Sequence, residues 1–103
     1  KRVELGKKNL FVSETLNVHL KDLTKKELKN YNLSGGAKII SNRNKNLHYY
    51  GVKEGYIITK VNKKVVLNAK QTVELIDASN LRGAPIYLEV INLDGEKERY
   101  AFR

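Results

Sequence analysis

The sequence predicts a mostly β domain with two helices, an α+β chain folded as a small β-sandwich or a partly open barrel capped by those helices. Three observations carry that prediction. Short apolar runs alternate with a period of two, most clearly Ile86, Leu88 and Val90 against Tyr87, Glu89 and Ile91, as half-buried strands require. Two segments, one early at Thr24 and one late at Asn68, carry residues that start helices. Turn formers separate the runs, and Asp94-Gly95 divides the last two as a hairpin would.

Taken in order, Lys1 to Lys8 is charged and weakly patterned, and reads as a linker or a strand left from a preceding domain, so the domain proper is 9–103. Leu10 to Val12 is a short apolar stretch. Leu16, Val18 and Leu20 then alternate with Asn17 and His19, which places the three on one face of a strand. Thr24-Lys25-Lys26-Glu27 sets a hydroxyl three residues before a carboxylate, a capping box opening a helix that runs to about Tyr31. Gly35-Gly36 breaks the chain before a strand from Ala37 to Ser41, and Asn42 to Asn46 reads as a mobile polar loop.

Tyr56 to Val61 is a β-branched run suited to a central strand, and Asn62-Lys63-Lys64 turns it into Val65-Val66. Asn68 caps a second helix, Ala69 to Ala78, with Ala69, Thr72, Val73 and Ile76 at the spacing of one face. Arg82-Gly83-Ala84-Pro85 ends that region. The closing hairpin takes its positive φ angles from Asp94-Gly95 and returns through Arg99 to Phe102.

Composition bounds the function. A chain of 103 residues fits one domain, and 41% hydrophobic residues suffice for a core rather than disorder. The absence of cysteine removes disulfides, thiolate metal sites and thiol nucleophiles, and leaves the redox compartment open. No apolar run approaches the ~20 residues of a membrane-spanning helix. Lys1-Arg2-Val3-Glu4 lacks the apolar centre of a signal peptide, so a soluble segment of a longer protein is expected, without membrane insertion.

The net charge of +9 comes from 20 Lys+Arg against 11 Asp+Glu. Lysine dominates, which suits a solvated surface better than bidentate phosphate or base recognition. Tyr49-Tyr50 and Tyr87 lie beside lysines, but aromatics do not recur on adjacent strands as in base-stacking proteins. No nucleic-acid partner is expected. Neither His19 nor His48 accompanies a serine in a Gly-Asn-Ser-Gly-Gly setting, with Ser13, Ser34, Ser41 and Ser79 considered. Two histidines without clustered carboxylates make no metal site. The chain is expected to be non-catalytic, with no cofactor and no metal.

One segment goes further. Gly36-Ala37-Lys38-Ile39-Ile40, then Tyr50-Gly51-Val52-Lys53-Glu54-Gly55-Tyr56-Ile57-Ile58, then Val61-Asn62-Lys63-Lys64-Val65-Val66 resembles the central signature of bacterial PDZ domains. Tyr56 replaces the usual Asp, Lys63 the usual turn glycine, and the Ser-Pro-Ala of the family's loop is missing around Lys45 to His48. The early capped helix and the ending from Asp94-Gly95 to Tyr100-Ala101-Phe102 look most like the last PDZ domain of HtrA/Do-type serine proteases.

The resemblance implies a PDZ-like domain that binds extended or C-terminal hydrophobic peptide segments by adding them as a strand to a sheet edge. The backbone N–H groups of Thr15-Leu16-Asn17-Val18 would hold the terminal carboxylate, with Asn17 where the family usually has glycine. Val18 and Leu20 would floor the groove, Ala69, Val73 and Ile76 would form its helical wall, and His19 would either touch the peptide or sit half-exposed. Leu16, Val18, Leu20, Val73 and Ile76 are equally readable as ordinary core. The implied setting is periplasmic protein quality control, with a protease domain upstream, unfolded-protein segments and neighbouring protease or PDZ domains as partners, and a homo-oligomeric parent. The alternative is a structural PDZ domain whose degenerate groove serves interdomain or oligomer contacts.

Overall fold

A computed structural model describes residues 10–102; the linker expected at 1–8 lies outside the described residues. Seven strands and three helices follow in the order β1 (Leu10–Ser13), β2 (Val18–Asp22), α1 (Lys25–Asn30), β3 (Ala37–Asn42), α2 (Lys45–Tyr49), β4 (Ile57–Val61), β5 (Lys64–Val65), α3 (Ala69–Leu81), β6 (Ile86–Ile91) and β7 (Lys97–Phe102). The fold is mostly β, as the alternating runs require.

All seven strands belong to one antiparallel sheet, ordered β1-β2-β3-β4-β6-β7 with β5 added to β4. The strands form one continuous sheet and not a closed barrel, since β1 and β7 are separate ends of the series. Register shifts at His19/Leu20 and Ile58/Lys60 are the irregularities that bend and twist strands. Such bending lets a single sheet enclose one core with α3. That core includes Val18, Leu20, Ile39, Leu47, Ile58, Val61, Ile76, Leu88 and Val90, each no more than 2% exposed.

The helix starts follow from side-chain caps. Thr24 Oγ1 accepts from Glu27 N at 3.1 Å while Glu27 Oε1 accepts from Thr24 N at 2.9 Å, the reciprocal capping box expected. Asn68 Oδ1 accepts from Gln71 N at 2.8 Å to start α3, which buries Ala69, Thr72 and Ile76. That helix continues to Leu81, beyond the Ala78 expected. Its last turn carries a buried Ser79 and a Leu81 that is 86% exposed, so apolar periodicity gives no sign of it.

A third helix, α2, stands where a polar loop was expected to extend to Asn46. The asparagines that suggested a loop build its cap: Asn42 Oδ1 accepts from Asn44 N, and Asn44 Oδ1 accepts from Leu47 N, both at 3.0 Å. Leu47, 1% exposed, pins the turn to the core. At the last hairpin Gly95 is left-handed (φ 83°) but Asp94 is not. Asn92 Oδ1 supplies the missing order by accepting from Asp94 N and Glu96 N, both at 2.9 Å.

Candidate peptide-binding site

The loop between β1 and β2 is held from two sides. Asn17 has φ 57°, a left-handed conformation that asparagine tolerates better than most residues. Its carbonyl accepts from Arg43 N at 3.0 Å, its side-chain amide donates to Arg43 O at 3.3 Å, and Asn44 Nδ2 donates to Leu16 O at 2.7 Å. Thr15 Oγ1 donates to Asp77 Oδ1 at 2.8 Å. At the far end of β2, Asp22 Oδ1 accepts from Ala69 N at 2.7 Å. The start of β2 is therefore fastened near the end of α3, and the end of β2 to its start, so strand and helix run antiparallel.

This frame gathers the residues singled out in the sequence. Leu16, Val18, Leu20, Ala69 and Ile76 are buried, at most 3% exposed, and belong to the core. Val73 is half-buried and packs against that core. Thr15 and His19 are half-buried and Asn17 is exposed. Arg43 and Lys45 border an open concavity of ≈ 450 Å³ together with Asn17 and Asn44. The open side of the loop is thus cationic.

The edge of β2 is not free, contrary to the expectation that Leu16 to Leu20 would present an exposed sheet edge. β1 pairs along it, Leu10 with Lys21, Phe11 with Leu20, Val12 with His19 and Ser13 with Val18. Residues 14–17 form a short turn that folds the apolar Leu10–Ser13 segment back onto β2, and α3 covers it there. β1 also packs on α3 more extensively than β2 does. Phe11 is half-buried against the core and Ser13 is fully buried, whereas Leu10 and Val12 are 37% and 46% exposed. Ser13 Oγ accepts the Leu16 N–H at 3.2 Å.

Sequence reasoning missed the parts played by Phe11, Ser13, Asp22 and Asp77. The apolar Leu10 to Val12 stretch was the available signal for β1, but alternation identifies a strand and not its partner.

Perturbed acids lie elsewhere. Burial works to raise the Glu27 carboxyl, but hydrogen bonds from Lys38, at 2.6 Å, and the Thr24 backbone, together with the Lys38 charge, hold it below its ordinary value. Hydrogen bonds from Tyr100 and Asn92 lower the Glu98 carboxyl against the opposing effect of burial. Burial first, and then the Glu98 hydrogen bond and charge, raise the Tyr100 phenol. Burial likewise raises Tyr56, with Glu98 and Asp94 adding to it.

Two serines and one histidine have side-chain partners within the fold. Ser13 Oγ meets Leu16 N, Ser79 Oγ accepts from Asn62 Nδ2, and His48 Nε2 meets the Asn42 carbonyl. Among the described residues no group of three or more His, Cys, Asp or Glu is placed to hold a metal ion, and no helix is long and apolar enough to cross a membrane. No protein-family model matches the sequence, and no curated protein matches it either.

Proposed function

We propose that the chain is a non-catalytic, PDZ-like peptide-binding module of an HtrA/Do-type serine endoprotease, holding extended or C-terminal hydrophobic segments by strand addition so as to tether or regulate substrate in periplasmic protein quality control. The observation that carries this reading is the antiparallel β2–α3 frame, fastened at both ends by Asp22–Ala69 and Thr15–Asp77 and closed at one end by the Thr15–Asn17 loop. A strand-accepting slot needs such a pair of walls and a loop at its mouth. The left-handed Asn17 supports the loop's part, because that conformation turns successive N–H groups toward one concavity.

A second reading has its own support. β1 already lies along β2, which favours a structural module whose filled groove serves contacts with neighbouring domains or subunits.

Val73 distinguishes the two. It is half-buried on α3, so Val73→Glu brings an unpaired carboxylate to the groove wall, where apolar contact would be lost and desolvation costs follow. The peptide-binding reading expects wild type to bind hydrophobic peptides with free carboxyl termini, and Val73→Glu to lose more than tenfold in affinity with only a modest fall in melting temperature. Calorimetric titration with free and amidated peptides, alongside thermal melts, measures both. A wild type that binds no peptide, with a variant that only melts earlier, sinks the peptide-binding reading in favour of the structural one.

A further inference from the structure

We infer that β1 is a tethered internal ligand of the β2–α3 groove: an outside segment must displace it, and the segments that do so carry a large apolar residue and a small residue two positions apart. The inference rests on the peptide-binding reading and names its ligand class and its regulation.

Polarity comes first. β1 runs antiparallel to β2 and ends, at Ser13, beside the Thr15–Asn17 loop, which is the direction a C-terminal peptide would take with its carboxylate at that loop. Side-chain alternation agrees, because Phe11 and Ser13 turn inward while Leu10 and Val12 are exposed. Ser13, at 0% exposure, pairs with Val18, also at 0%, so the position is enclosed and this chain fills it with a small side chain. Phe11, opposite Leu20 and half-buried, leaves room for a large one.

The loop's own hydrogen bonding completes the comparison. The Leu16 N–H, one of the amides that a terminal carboxylate would meet, is occupied by Ser13 Oγ. The serine hydroxyl stands where a carboxylate oxygen of an outside ligand would accept.

The hold is short. β1 is four residues long and is retained by its ladder to β2, the half-buried Phe11 and the buried Ser13, whereas the walls behind it belong to the core. A short tether nonetheless gives an effective concentration on the order of millimolar. An outside ligand therefore sees its intrinsic affinity reduced by the small fraction of molecules with β1 released. Loosening β1 raises apparent affinity, and locking it abolishes binding.

The chain has no cysteine, so a single engineered pair can serve as the lock. Leu10 and Lys21 are ladder partners, both exposed, and Leu10→Cys with Lys21→Cys closes or frees β1 by oxidation or reduction of one polypeptide. The probe is a fluorescent peptide, Lys-Lys-Asn-Leu-Phe-Val-Ser with a free carboxylate, repeating residues 7–13, and its control carries Phe11→Asp. The expected result is binding by the reduced pair, at least tenfold weaker binding by the oxidised pair, about tenfold tighter binding by Phe11→Ala, and little binding of the control.

Equal affinity of oxidised and reduced forms, with amide shifts confined to Val18–Leu20, would overturn the displacement while leaving peptide binding intact. No binding by the reduced pair or by Phe11→Ala, with both shown folded by their melts, would overturn the peptide-binding reading itself. The redox comparison does not depend on the stability of Phe11→Ala, because both of its arms are the same polypeptide.

Discussion

Asn62 and Lys63 both lie in the left-handed region, at φ 52° and 71°, and form the two-residue turn from β4 into β5. Paired positive φ angles at such a turn favour asparagine followed by glycine. The Asn meets that demand and also accepts the Tyr87 N–H through Oδ1 at 2.8 Å. Lysine does not meet it, because its Cβ crowds the backbone in this conformation at a cost of roughly 1 kcal/mol or more. Lys63→Gly is therefore expected to stabilise the domain by about 1 kcal/mol, read as a higher urea midpoint with unchanged slope. A lower midpoint would show that the lysine side chain has a role at the turn that outweighs its strain. The residues Asn62-Lys63-Lys64 mark this turn by local backbone chemistry, whereas its missing glycine, like the one expected at Asn17, is marked only by the resemblance to PDZ domains. Gly35 is a different case. A Cβ there would lie 2.6 Å from the Leu67 backbone, and nothing within a few residues of Gly35 announces that neighbour.

The elements divide along the same line. α1 and α3 are legible because their caps, Thr24 and Asn68, precede charged or periodic segments, and the hairpin of β6 and β7 is legible because its strands are adjacent in the chain. α2 is not, since Asn42 and Asn44 serve equally well in a turn, and only the burial of Leu47 decides for a helix. β1 is half legible. Its apolar residues are plain, but its position on β2 depends on α3, some 60 residues later. α1 buries no residue of its own, so its cap matters out of proportion to its length. Thr24→Ala removes the acceptor of the Glu27 N–H, and a loss of about 1 kcal/mol is expected. A thermal melt measures it, and a change near zero would mean that α1 contributes little to the folded state.

At the scale of the molecule, the period-two alternation of short apolar runs anticipates a mostly β chain but not how its strands join across the chain. A single bent sheet resolves this, because the register shifts in β2 and β4 arise from pairing across the chain. The same sheet brings the two lowered carboxyls into tertiary contacts, Glu27 with Lys38 of β3 and Glu98 with Asn92 at the head of the last hairpin. Both fall below the ordinary carboxylate value in the folded state. Each therefore contributes stability that is fully present above the unfolded pKa of about 4.3 and is lost as pH falls through the lower folded value. The melting temperature should hold between pH 5 and 7, on the order of neutrality, and fall below about pH 4. Glu27→Gln combined with Glu98→Gln should flatten that fall, and an equally steep fall in the double variant would exclude these two groups as its cause.

Tyr50 stacks on Tyr100 with ring centroids 5.5 Å apart, and Tyr49 meets Tyr50 edge-on at 5.7 Å. These rings join the end of α2 and the residue after it to the last strand, far apart in the chain. The chain contains no tryptophan, so its near-ultraviolet circular dichroism comes almost entirely from tyrosine, and the paired rings contribute to it for as long as their packing holds. Loss of tertiary order with strands retained extinguishes that band while sparing the far-ultraviolet signal. The docking of β7 onto the body of the domain thus carries its own optical label, readable without any added dye.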